Sequence, residues 1–186
     1  MKQNIVADKI AGLSMMIVFT AMWTIMGEVA LSQLDYHIGG IGFGGAVVFL
    51  AYQYFQLRHA SKSLPKSVEV GEKKEDKRFL IIFGIEGVAI FIVKNVLYNT
   101  NHDEYFIASL ALIVGLHFFP LAKVFGRKFD YYIGSWTTFI SLLGIYLIFD
   151  KQYSLALINA MVCFGCALST VLYGLNMVKD AKDMLK

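Results

Sequence analysis

Apolar residues gather into six long runs along this chain, separated by short polar stretches. In lipid every backbone amide must find its partner within its own segment, so an apolar stretch near twenty residues reads as a helix. Such a helix rises about 1.5 Å per residue through a hydrocarbon core of roughly 30 Å. The runs predict helices over 10–34, 38–57, 79–99, 105–122, 131–149 and 152–178. The first is interrupted only by Glu28, and the second carries no charge. The third contains Glu86 and Lys94. The fold class expected is therefore all-α, a single transmembrane domain over 1–186 built as a bundle of six membrane-spanning helices.

The polar stretches set the orientation, because cytoplasmic loops keep Lys and Arg while translocated loops lose them. Of the 17 Lys and Arg residues, Lys94 lies inside a span and Lys151 falls on one side of the array. All the others fall on the opposite side. Both termini are expected in the cytoplasm, in a multi-pass protein of the cytoplasmic membrane. The segment 58–78, rich in Lys, Glu and Ser with Pro65 and Gly71, is expected to be a solvated cytoplasmic connector too short to hold a catalytic domain.

Composition agrees with this picture. A soluble domain carries roughly a quarter charged residues and about half apolar ones; here charged residues make up 17% and apolar ones 57%. A 20.9 kDa chain cannot hide that excess in a core while keeping its surface polar. The net charge of +3 does not point to nucleic acid, since the bases flank apolar runs instead of forming one face. The first run resembles a signal peptide ending at Ala30-Leu31-Ser32, but it exceeds the usual length of a signal core and is read as a helix. Tyr105, Tyr131 and Tyr132 stand where an interfacial aromatic belt belongs.

Candidate chemistry lies in the ionisable groups inside the spans, each costing at least about 2.5 kcal/mol unless partnered or hydrated. Counting from Arg78, Glu86 lies about 12 Å into the third helix, and His117 lies roughly 9 Å from the Lys123 end of the fourth. The two share a level. Pro120 cannot donate to the Leu116 carbonyl, so a kink or opening is expected beside His117. A carboxylate, an imidazole and a freed carbonyl at one depth can bind a cation or pass a proton, or simply lock two helices together. Nearer the other side, Glu28 and Lys94 are also level and can form an ion pair closing a cavity, with Asn95 as a further polar residue nearby; either can instead snorkel to the interface, which is the favoured reading for Lys94. Thr24, Gln53 and Asn159 are expected as polar links between helices.

Cys163-Phe164-Gly165-Cys166 has the spacing of thiol-disulfide enzymes, yet no second cysteine pair accompanies it, and close packing is the expected use. Close packing is likewise expected of Gly39-Gly40-Ile41-Gly42-Phe43-Gly44-Gly45. Met15, Met16, Met22 and Met26 spread round the first helix as lipid-facing or core filler. Zinc spacing, P-loop, dinucleotide fingerprint and nucleophile elbow are all missing. No metal, cofactor or catalytic residue is expected.

The stretch Gly115-Leu116-His117-Phe118-Phe119-Pro120-Leu121-Ala122, followed by Tyr131-Tyr132-Ile133-Gly134, resembles a pattern in small multi-spanning bacterial membrane proteins that have no assigned activity. The resemblance implies a bacterial cytoplasmic membrane and makes His117 and Pro120 a unit.

Three functions fit these residues. The leading one is an oligomeric transporter or channel for a cation or a proton-coupled small solute, passing Glu86 and His117 among membrane lipids. The second is a membrane-embedded enzyme on lipid or quinone with the same pair as acid and base. The third is a non-catalytic sensor or immunity-type protein binding a partner through the glycine face of the second helix.

Overall fold

A computed structural model describes residues 2–31, 37–62 and 73–185 of the chain, with the side chains of 2–5 and 73–76 left aside. The described residues form six helices: α1 (Lys2–Leu31), α2 (Ile38–Ser61), α3 (Lys73–Asn99), α4 (Phe106–Phe125), α5 (Lys128–Asp150) and α6 (Leu155–Leu185). A single 3-10 turn, Asp103–Tyr105, precedes α4. All six are long and apolar enough to cross a membrane, as the runs of the sequence predict.

The boundaries move at the ends. Helix α1 begins eight residues before the expected start at residue 10, and α6 continues past 178 to Leu185. Both extensions have the same cause: the helices go on packing beyond the apolar run. Val6 and Ala181 are fully buried there, and Lys9 pairs with Asp180 across α1 and α6 at 2.5 Å. The expected connector 58–78 shrinks because α2 runs to Ser61 and α3 starts at Lys73. Its middle, with Pro65 and Gly71, lies outside the described residues, as does the end of the first predicted helix beyond Leu31.

Two helix ends owe their form to backbone in the left-handed region. Gly126, at φ 63°, stops α4 and returns its N–H to Ala122, a conformation that glycine adopts without strain. His37, at φ 57°, stands just before α2.

Helix α6 is the centre of the bundle, packed on α1, α2, α4 and α5. Hydroxyl pairs tie it in place: Thr20 donates to Thr170 at 2.8 Å, and the Thr137 and Ser169 hydroxyls lie 2.9 Å apart. Trp136 donates its indole N–H to the Gly165 carbonyl at 3.0 Å. Such bonds do the work of side-chain glue where apolar burial cannot drive helices together. The Cys163–Cys166 stretch packs as expected, with both thiols buried and Gly165 against Ile140.

The glycine run of α2 divides. Gly39 and Gly40 are in close contact with Phe164 and Glu28, whereas Gly42, Gly44 and Gly45 face open space. Close packing therefore uses only the first two.

Helix α3 stands apart. It packs on α4 and not on α1, and of its described side chains Glu86 alone is buried.

Candidate functional site

The site is built on the α4–α5 contact. A Cβ on Gly115 would fall 2.7 Å from the Thr138 backbone nitrogen, and one on Gly134 would fall 3.1 Å from the Gly115 carbonyl oxygen. The missing side chains let the two helices touch backbone to backbone. That contact turns the opposite face of α4 toward α3 and α1, and His117 lies on it. Helix α4 runs unbroken through Pro120, whose missing N–H leaves the Leu116 carbonyl without its helical donor.

His117 and Glu86 meet as their shared depth predicts. Nδ1 of His117 lies 3.3 Å from Oε1 of Glu86, with both side chains nearly closed off from the surroundings. The distance is that of an ion pair, but the geometry is not that of a hydrogen bond. Oε2 of Glu86 is buried without a hydrogen-bond partner, and the His117 ring has the Val114 carbonyl of its own helix beside it, with Nδ1 short of good hydrogen-bond geometry.

These atoms line a cavity of about 120 Å³. Its walls are Met15, Met16, Phe19, Met22 and Trp23 from α1, Phe79 and Phe83 from α3, and Phe118 from α4. Three of the four methionines read from the sequence as filler, Met15, Met16 and Met22, thus form one wall of the site, and Met26 does not line it. Helices α1 and α3 face each other across it without packing together.

The end of the cavity toward the Lys- and Arg-rich side holds a second polar group. Asp130, in the first turn of α5, is 1% exposed. Tyr173 of α6 donates its hydroxyl to Asp130 Oδ1 at 2.6 Å, and Arg127 Nη1 reaches the Tyr173 oxygen at 3.4 Å. Asp130 Oδ2 is buried without a hydrogen-bond partner. Arg127 lies over the Phe125 ring, 4.5 Å from its centroid, and makes no ion pair among the described residues.

No protein-family model, curated protein or solved structure matches this chain.

The other sequence candidates do not join it. Glu28 does not meet Lys94: its carboxylate accepts the Gly40 N–H at 2.5 Å and lies 2.6 Å from His37 Nδ1, capping the start of α2. The reason is lateral position, since α1 and α3 share a level but do not pack together. Lys94 and Asn95 are exposed on α3, and the Asn95 amide donates to the Phe91 carbonyl of its own helix. None of these three residues lines the cavity.

Asp130 and Tyr173 were not among the candidates. Asp130 sits one residue before the fifth apolar run, where an acid ordinarily serves the helix N-terminus. A signal was present: Asp130 falls on one helical stripe with Gly134, Thr137, Ser141 and Gly144, all buried. For metal chemistry the cavity offers two carboxylates, Glu86 and Asp130, and one imidazole, His117, but among the described residues no three His, Cys, Asp or Glu come together to hold an ion.

Proposed function

We propose that the protein is a carrier of small organic amine cations, which bind with the ammonium on Glu86 and the apolar body among the cavity's aromatic rings and methionines. The observation that supports this reading is the orphaned Glu86 Oε2, beside His117 and facing apolar and aromatic walls. A buried carboxylate without a donor gains most from a ligand that brings both charge and hydrogens. Aromatic faces attract a cation as well. An apolar cavity of about 150 Å³ takes up benzene, so one of about 120 Å³ suits a ring or a short alkyl chain.

Glu86 holds the ammonium in the loaded state and a proton in the empty one, which couples the two fluxes. Helix α3, attached mainly to α4, is the element able to shift between states.

The test is uptake of radiolabelled benzylamine into proteoliposomes under an imposed proton gradient. Glu86→Gln should abolish uptake while the variant still folds and inserts. Undiminished uptake in that variant would overturn the proposal. The gap between α1 and α3 favours a second reading, a site for a lipid or quinone tail entering from the bilayer; a co-purified acyl or isoprenoid chain wedged there would support it.

A further inference from the structure

The cavity has two orphaned carboxylate oxygens, not one. Glu86 Oε2 and Asp130 Oδ2 belong to carboxyl groups that are each at least nine-tenths buried, and both groups line the same cavity. Neither carboxylate has a Lys or Arg ion-pair partner among the described residues. Arg127 and Lys9 both lie within electrostatic reach of Asp130, but Arg127 is turned onto the Tyr173 hydroxyl and the Phe125 ring, and Lys9 is paired with Asp180.

Their separation along the bundle axis follows from the helix register. The Gly134 contacts with Gly115 and Phe118 put Gly134 level with His117, and so with Glu86. Asp130 lies one turn away on α5, about 6 Å toward the Lys- and Arg-rich end. Between the two acids the walls are Phe118, Val114, Met16 and Phe19, with the Thr170 hydroxyl as a polar exception.

Two acids, each with one oxygen unsatisfied and no Lys or Arg in direct ion-pair contact, joined by an apolar channel, complement a linear dication with a methylene spacer. We infer that the ligand is an α,ω-diamine, one ammonium on Glu86 beside His117 and the other on Asp130 beside Tyr173. This inference rests on the carrier reading and sharpens its substrate class. A monoamine satisfies one acid and leaves the other orphaned, and an orphaned buried charge is costly.

The experiment is calorimetric titration of the full chain in lipid nanodiscs with α,ω-diaminobutane, -pentane and -hexane, each against the alkylamine of the same chain length. The diamine of best-matching length should bind at least about tenfold tighter than its monoamine, because it satisfies the second buried acid. In Asp130→Asn the ratio should fall to about one. The chain-length series on the wild-type protein gives an independent readout should that variant fail to fold: diamine affinity should peak at one spacer length, while monoamine affinity follows apolar surface alone. A wild-type ratio near one, or a ratio that Asp130→Asn leaves unchanged, overturns the diamine inference while the carrier reading stands. Binding of neither amine class removes both.

Discussion

Nδ1 of His117 stands 3.3 Å from Oε1 of Glu86, and Glu86 is the one buried residue among the described side chains of α3. A helix otherwise turned to its surroundings is therefore fastened at a carboxylate–imidazole contact. Removing one partner leaves the other buried alone, whereas removing both replaces a polar contact by an apolar one. His117→Leu should lower stability by about 1–3 kcal/mol, and adding Glu86→Leu should restore most of the loss. Unfolding in mixed micelles measures both; a double variant weaker by the sum of the two single losses would refute the coupling.

Tyr173 satisfies Asp130 Oδ1 and receives Arg127, so a single hydroxyl serves two neighbours. Tyr173→Phe should cost about 1–3 kcal/mol, since it leaves both Asp130 oxygens without a donor. The same unfolding assay reads it, and a loss below about 0.5 kcal/mol, the range of neutral surface changes, would show that the bond contributes little.

Gly115→Leu should part α4 from α5, because its Cβ meets the Thr138 backbone at 2.7 Å and backbone cannot step aside. The expected loss exceeds the 1–3 kcal/mol typical of overpacking about a flexible neighbour. Gly45→Leu on α2, where nothing stands within 4 Å, should stay within about 0.5 kcal/mol. Equal effects at the two glycines, measured by thermal unfolding in detergent, would contradict the packing described.

Glu28 and Lys94 should respond independently. Glu28→Ala removes the acceptor of the Gly40 N–H and should cost about 1 kcal/mol, as the loss of a helix cap does. Lys94→Gln touches no partner among the described residues and should fall within about 0.5 kcal/mol. A double-mutant cycle between them should show no coupling energy; a measurable one would restore the ion pair that their shared depth suggests.

Much of the architecture is legible in residue order alone. Each membrane-length helix closes its own hydrogen bonds, so the length of an apolar run fixes its existence. Depth follows from counting along the axis, which is why Glu86 and His117 could be put at one level and were found in contact.

Counting fixes depth but not bearing. Glu28 and Lys94 are level too, yet α1 and α3 do not pack together, and Glu28 turned to His37 and Gly40 instead. Asp130 stands just outside the fifth apolar run, and only the approach of Tyr173 on α6 shows it to be buried and bonded. The sequence by itself determined six membrane-length helices and the level of the Glu86–His117 pair, because those are properties of one helix at a time. Only the tertiary structure decided which levels meet, which methionines line a cavity and which acids are left orphaned, because lateral packing depends on contacts among several helices at once.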